Sequence, residues 1–561
     1  MTGAWPKNMP RTLQYPYAGA DAILAGAARA YPDKVALLDG DESLTFAALR
    51  DKALRTAAGL RERGIRPGDV VALHMSNSLW YIVAYYGALC AGAAVAPINP
   101  AQPAPALRRQ LDDVGAKAVV TSGAGAGAVA AAGAGSVWFT VCVPPTACSP
   151  APGELPEGTI ALAELLAAEP LTGYRVDPEL VAHLQLTGGT TGRSKAVRVL
   201  HRNLSANVVQ AGCWRTGALP VLDTDGALRI TLGAGAASGR MVPLGEGSSL
   251  AVAPLFHGLG LVSQNINTLL GTTTVFCGGR FDPEAFLADI EKHRVVCMSG
   301  SPAMYYAVLR SPSLDAYDLS SVRMVVSGAA PIDTTALRRL AEVFPRAAVA
   351  EGYGLSEATM GLTGSPIESD VRVPVGSVGI PMFDTEVQIR DHDASTVLTA
   401  GETGEVWARG PQITDGYHGE PELTALQFKD GWLATGDMGR LDERGNLFLV
   451  GRSKDMIIYK GYNVYPQPLE EILCSHPAVA QAAVVGAHSE TAGEIPVGFV
   501  VLRPGFEERD TLAGEILAHL AERVAPYQKV RVLRIVEALP LTPTGKILKS
   551  DLRDRLAAEV R

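Results

Sequence analysis

The chain has 561 residues, too many for one hydrophobic core, so at least two domains are expected. A composition of 47% hydrophobic and 19% charged residues excludes an intrinsically disordered chain, and a net charge of −9 argues against nucleic acid as a main partner. The seven cysteines (Cys90, Cys142, Cys148, Cys213, Cys277, Cys297 and Cys474) are scattered, odd in number and without a CxxC pair, which argues against a disulfide framework or zinc site and for a reducing cytoplasm.

The first twenty residues contain prolines and no apolar core, unlike a secretory signal. Residues 46–63 carry apolar side chains at helical spacing, and 70–74 read as a short strand. The apolar run 82–98 is interrupted by Gly87, Gly92 and Pro97; it reads as a buried helix turning into a strand, not as a membrane span. Residues 107–114 predict a helix and 117–121 the next strand, while 122–136 are nearly all Ala and Gly, a surface helix or loop. A buried strand is expected at 180–186, a loop or hairpin insertion at 216–249 and a strand at 322–326. This alternation predicts α/β architecture with largely parallel sheets. From about 399, short β-like runs (406–409, 447–450) between glycine turns predict a small antiparallel, barrel-like sheet ending the large domain. After the polar break at 451–455, a helix (468–474), strands (479–485, 497–502), a helix (511–524) and a strand (530–536) predict an α+β tail. We expect an N-terminal domain of residues 1–453 and a C-terminal domain of 454–561.

Chemistry concentrates in a few short segments. The first is Leu186-Thr187-Gly188-Gly189-Thr190-Thr191-Gly192-Arg193-Ser194-Lys195. Its glycines let several backbone N–H groups point at one spot, its threonines add donors and Lys195 adds a mobile cation: a cradle for polyphosphate. It is not a Walker A loop, which has lysine directly after the last glycine, whereas Lys195 comes three positions after Gly192. Then come Pro254-Leu255-Phe256-His257-Gly258, with a histidine after an apolar strand, and Ser327-Gly328-Ala329-Ala330-Pro331, a turn small enough for a flat ring to lie against backbone. Glu351-Gly352-Tyr353-Gly354-Leu355-Ser356-Glu357 joins an aromatic ring that can stack on a purine to a carboxylate suited to Mg²⁺. Asp437, on the glycine turn Ala434-Thr435-Gly436, suits ribose hydroxyls; Arg452 offers a planar cation; and Lys546 sits on a turn stiffened by Pro540 and Pro543.

The ordered set LTGGTTGRSK, PLFHG, SGAAP, EGYGLSE, ATGD, GRSKD, YKGYNVYP and PLTPTGK resembles the adenylate-forming superfamily, in its acyl- and aryl-coenzyme A synthetase branch. The resemblance covers residues 32–552. It implies an α/β fold: a large domain of two α/β subdomains and a small barrel-like sheet, and a mobile α+β C-terminal domain. It implies a two-step reaction, in which a carboxylate attacks the α-phosphorus of ATP and a thiol then displaces AMP. By resemblance, Thr187 to Gly192 (Gly188, Gly189, Thr190 and Thr191 between them) and Lys195 hold the β- and γ-phosphates. Glu357 is the Mg²⁺ ligand and Ser356 an α-phosphate contact. Gly328, Ala329, Ala330, Pro331, Gly352, Tyr353 and Gly354 form the adenine slot; Asp437 takes the ribose and Arg452 lies near it. Lys546 matches the catalytic lysine and Lys454 the hinge, about which rotation replaces Lys546 with Lys460, Gly461 and Tyr462. The chain departs from the family's pattern at Gly188, Ser194 and Ala196, where Ser, Pro and Gly are usual.

The resemblance places the acyl pocket among His257, Leu259, Val262, Met304, Gly328, Gly352 and Met360. That apolar lining favours a fatty, aryl or polycyclic acid over an amino acid. The expected partners are this acid, ATP and coenzyme A, with a carrier protein or a separate thioesterifying enzyme as the alternative acceptor. Mg²⁺ is the expected metal, no nucleic acid or membrane span is expected, and a homodimer is left open.

Overall fold

The computed structural model of the protein describes residues 5–6, 9–146, 154–187, 194–232, 242–278, 281–366, 373–489, 491–542 and 546–559. Two seven-stranded sheets organise the first 350 residues. One runs in the spatial order Thr159–Ala161, Phe139–Cys142, Ala116–Thr121, Val70–His74, Ala94–Pro97, Val181–Thr187 and Lys195–Leu200, parallel throughout except for its last pair. The other runs Ala348–Glu351, Met324–Ser327, Val295–Gly300, Ser248–Leu250, Thr273–Phe276, Val35–Asp39 and Glu42–Thr45, again with one antiparallel edge pair. Covered on both faces, the central strand Val70–His74 is buried at every residue, four of the five apolar.

The apolar run 82–98 resolves as expected into a helix, Leu79–Cys90, and a strand, Ala94–Pro97. Ser78 caps that helix, and all of its residues are buried in the protein core. Among the described residues, no helix is long and apolar enough to cross a membrane. The Ala/Gly stretch forms the helix Gly123–Ala132, which is packed rather than merely superficial: a Cβ on Gly125 would lie 2.3 Å from Thr121 Oγ1, so only glycine lets it sit this close to its sheet. The expected insertion contains the antiparallel hairpin Leu219–Leu222 with Leu228–Thr231, and the chain re-enters the sheet at Ser248–Leu250.

The antiparallel sheet expected after 399 is five-stranded: Glu386–Arg390, Gly404–Arg409, Trp432–Leu441, Phe428–Lys429 and Leu447–Arg452. The tail builds a mixed five-stranded sheet from Tyr462–Val464, Ile457–Tyr459, Gly493–Leu502, Val479–Ser489 and Val532–Ile535, the last strand parallel to Gly493–Leu502 and the other pairs antiparallel, with the helices Pro466–Cys474, Leu512–Ala521 and Lys549–Glu559 packed on it. Apolar packing is partitioned between body and tail. Among the described residues, the buried clusters of the body draw on nothing beyond Leu447, and those of the tail on nothing before Ile457.

Candidate active site

A cavity of about 710 Å³ opens where the carboxyl ends of Val181–Thr187, Val295–Gly300, Met324–Ser327 and Ala348–Glu351 converge, closed on the far side by residues of the small sheet and the tail. Carboxyl ends of parallel strands are where open α/β sheets bind ligands.

One wall is built for anions. The hairpin register places Lys195 beside Thr187, and Thr187 Oγ1 donates to the Lys195 carbonyl at 3.4 Å. Lys195 Nζ lies 5.5 Å from the centre of the Tyr417 ring. The Tyr417 hydroxyl donates to Glu357 Oε1 at 2.7 Å, so cation, ring and carboxylate form one cluster. Backbone pairing to the strand Lys195–Leu200 holds Tyr417 there, since Arg198 N donates to Gly416 O and His418 N to Ala196 O. The Glu357 carbonyl is held in turn by Thr414, through its backbone N–H and its hydroxyl, each at 3.0 Å. A single carboxylate at a phosphate-sized cavity suits Mg²⁺, which keeps waters and phosphate oxygens as its other ligands. Among the described residues no cluster of three or more His, Cys, Asp and Glu forms an all-protein metal cage.

The opposite wall is a narrow slot. Gly328, Ala329, Gly352, Tyr353 and Gly354 line it, and Gly328 N donates to Gly300 O and Gly352 N to Ser327 O, extending the strand ladder into the loops. Ala329 takes φ +68, a left-handed conformation costly for a residue with a Cβ. Gly354 is obligatory, because a Cβ there would stand 1.6 Å from Met360 O. Behind the slot, Tyr353 donates to Asp437 Oδ2 at 2.7 Å while Arg452 Nε pairs with Oδ1 at 3.1 Å across the antiparallel strands. Asp437 is only 7% exposed, so this carboxylate is held rigidly.

Lys546 reaches the cavity from the tail, and its backbone N–H is tied to Thr542 Oγ1 at 3.0 Å. Burial and then the Arg452 cation push its ammonium down to about 8, with Lys454 adding to the effect and Asp437 and Asp455 opposing it. His257 caps the helix Gly258–Leu270, its Nδ1 accepting from Leu259 N at 3.2 Å, and burial followed by Lys546 lowers its pKa and keeps it neutral. Glu351, beside the slot, is pushed up to about 8, chiefly by burial and further by Glu471 of the tail, against a stabilising Ile332 N–H.

The structure thus brings together Thr187, Lys195, His257, Gly328, Ala329, Gly352, Tyr353, Gly354, Ser356, Glu357, Arg452, Lys454 and Lys546, with Asp437 directly behind. Ala330 and Pro331 do not line the cavity. Lys460 and Gly461 form the turn between Ile457–Tyr459 and Tyr462–Val464, where Lys460 Nζ lies 5.7 Å from the Tyr459 ring, away from the cavity. Gly188, Gly189, Thr190, Thr191 and Gly192 lie outside the described residues. So do Pro543, Thr544 and Gly545 of the Lys546 turn. Of the expected acyl lining, His257, Leu259, Gly328, Gly352 and Met360 are in place, but Val262 and Met304 are not: both lie on helices, Gly258–Leu270 and Pro302–Leu309, with their side chains buried in apolar core. Sequence reasoning missed Tyr417, Glu351 as an individual group, and the lining residues Trp214, Arg215 and Ser299. Glu351 alone carried a signal, standing inside a quoted motif.

With this geometry in hand, comparison with known proteins is specific. The profile of the family described as "AMP-binding enzyme" matches residues 24–418, and that of the "AMP-binding enzyme C-terminal domain" matches 468–546. The chain is 32% identical to the long-chain-fatty-acid–CoA ligase of Bacillus subtilis (strain 168), over 98% of this chain and 96% of the relative. It is 35% identical to 4-coumarate–CoA ligase-like 9 of Oryza sativa subsp. japonica, over 96% and 93%. It superposes on the crystal structure of ATP-bound MatB from Rhodopseudomonas palustris with a TM-score of 0.81 at 27% identity, covering 97% of this chain and all of that one.

Proposed function

Because the chain belongs to the AMP-binding enzyme family, among the acyl- and aryl-coenzyme A ligases, we propose that it activates a hydrophobic carboxylic acid with ATP and transfers the acyl group to coenzyme A. The acid's carboxylate attacks the α-phosphorus, pyrophosphate leaves, and the coenzyme A thiol then displaces AMP to give the thioester. Its place is the cytoplasm, in keeping with cysteines that remain free thiols among the described residues.

The difficulty of the first step is an anion attacking an anion, and the residues answer it with preorganised charge. The loop from Thr187 to Lys195 holds the leaving pyrophosphate. Glu357, oriented by Tyr417, holds Mg²⁺, which supplies charge neutralisation on the phosphates. Ser356 contacts the α-phosphate. The slot from Gly328 to Pro331, with Gly352 to Gly354, takes adenine, and Asp437, braced by Tyr353 and Arg452, takes the ribose hydroxyls. Lys546 bridges the attacking carboxylate and the α-phosphate as charge develops. Neutral His257, its Nδ1 occupied, has Nε2–H left to orient the acid.

The body ends at residue 453 and the tail begins at 454, with Lys454 as the hinge. The separation of apolar packing between the two supports this boundary, because a rigid-body rotation there breaks no shared core. Rotation withdraws Lys546 and presents Lys460 and Gly461 for the thioester step, so one site serves two reactions in turn.

The observation that carries the reading is Lys546 itself, a lysine delivered by the tail into the body's cavity, near Arg452. The test is a panel of fatty, aryl and amino acids assayed for pyrophosphate release, with coenzyme A withheld and then added while products are followed by mass. ATP-dependent thioesters from hydrophobic acids are expected; release with amino acids alone, or no thioester after coenzyme A is added, would overturn it.

A further inference from the structure

The acyl side of the cavity is apolar along Phe256, Leu259, Met324 and Met360, yet it ends on a cation. Arg215, in the last turn of the helix His201–Thr216, is 5% exposed and lines the cavity beside Trp214 and Ser299. Among the described residues, its guanidinium makes one side-chain hydrogen bond, from Nη1 to Cys297 Sγ at 3.7 Å, and no ion pair. A thiol is a weak acceptor and here a neutral one, since burial raises the Cys297 pKa more than Arg215 lowers it. Arginine carries five donors and is always charged, so this guanidinium has donors left for a ligand that enters the cavity it lines.

Several other polar side chains of this helix find partners in the fold. Gln210 Nε2 donates to Phe383 O at 2.6 Å, and Asn207 Nδ2 to Gly361 O at 3.0 Å. Trp214 Nε1 donates to Ser365 O at 2.9 Å, which pins the ring next to Arg215. The arginine's own backbone is fixed too, its carbonyl accepting from Val242 N at 3.1 Å. Its position is therefore built, while its charge is left for something else.

Depth identifies what that is. Gly328 N donates to Gly300 O at the mouth of the slot, and Cys297 lies three residues back along the same strand, Val295–Gly300. At about 3.3 Å per residue, Cys297, against which the guanidinium lies, is about 10 Å back along the strand from Gly300 at its carboxyl end. We propose that the acid activated here carries a second carboxylate at its far end, and that Arg215 is the residue that selects it. This rests on the ligase reading above and narrows its substrate to an amphipathic diacid, apolar in the middle and anionic at both ends. The planar fork of the guanidinium matches a carboxylate bidentately, and Ser299, which also lines the cavity, offers a hydroxyl donor.

Matched pairs of acids test this: α,ω-dicarboxylic and aromatic dicarboxylic acids of graded length, each against the monoacid with methyl in place of the distal carboxylate. AMP formation is measured with wild type, Arg215→Leu and Arg215→Lys. Wild type is expected to favour the best diacid over its monoacid by at least ~100-fold in kcat/KM, as sites with buried donors reject ligands that leave them unpaired. Arg215→Leu should bring that ratio close to one, chiefly by raising KM for the diacid, and Arg215→Lys should restore part of it. Equal use of both acids by wild type, or an Arg215→Leu variant that slows both alike, would overturn the assignment and leave the ligase reading standing. Should Arg215→Leu not fold, the wild-type ratio and Arg215→Lys decide. AMP formation from neither class would overturn the ligase reading and this one together.

Discussion

At the scale of single residues, the wall proposed to hold the phosphates depends on a tyrosine that touches both charges. Tyr417 donates to Glu357 while its ring faces Lys195. Tyr417→Phe keeps the ring and deletes the hydroxyl, so Lys195 keeps its partner while the carboxylate loses its orienting hydrogen bond. We expect the Mg²⁺ concentration for half-maximal adenylation to rise ~10-fold, since lost outer-shell bonds typically cost this much, with thermal stability little altered; a titration of activity against Mg²⁺ checks it. An unchanged titration would remove Tyr417 from the metal site.

Two groups in the cavity also share a titration range. Lys546, pushed down to about 8, is cationic below that pH and neutral above it; Glu351, pushed up to about 8, is neutral below and anionic above. Raising pH through 8 therefore takes one positive charge away and adds one negative charge, both unfavourable to a polyphosphate. The kcat/KM for ATP should fall above pH 8, with a limiting log–log slope approaching two, and Glu351→Gln should reduce that slope to about one. A flat profile from pH 7 to 10 would contradict both shifts.

At the scale of elements, the site is a set of loops held by strand ends, and one glycine shows how little slack they have. Any Cβ at Gly354 meets the Met360 carbonyl, which belongs to the same turn and cannot move away independently. Gly354→Ala should destabilise the body by about 2 kcal/mol or more and abolish pyrophosphate release; a wild-type melting temperature would show that the turn is softer than its packing suggests. The loops were legible in the sequence because their chemistry is local. A Gly/Thr-rich cradle, a small-residue turn and a Tyr–Ser–Glu loop each declare themselves within ten residues. Tyr417 was not, because it bonds a carboxylate 60 residues away and its own neighbours read as an ordinary turn. Arg215 was hidden for a similar reason: its helix has no amphipathic face, being buried nearly all round, so no periodicity separates a cavity-lining cation from a surface one. Element boundaries followed capping more than hydrophobicity. The helix expected at 46–63 starts at Phe46 because Thr45 accepts from Ala48 N. The final helix, Lys549–Glu559, escaped notice because Leu552 and Leu556 are its only buried apolar residues among those described.

At the scale of the whole molecule, the proposed division of labour is a body that binds and a tail that delivers. Polar contacts, not shared apolar core, tie the tail's parts near the junction. Arg553 bonds Asp455 at 2.6 Å beside Lys454, and Lys549 pairs with Glu470 at the same distance. The alternation of α and β that predicted parallel sheets held for the body. The crossing of Val35–Asp39 and Glu42–Thr45 into the second sheet did not show, since strand order is set by long-range packing that no local pattern records. The most direct test of the account is to separate the two half-reactions in Lys546→Ala. Given acid and ATP, this variant should lose at least ~1000-fold in pyrophosphate release, because the charge that bridges two anions is gone. Given pre-formed acyl-adenylate and coenzyme A, it should form thioester within about threefold of the wild-type rate. Equal losses in both reactions, or adenylation that survives the substitution, would contradict the division of labour between body and tail.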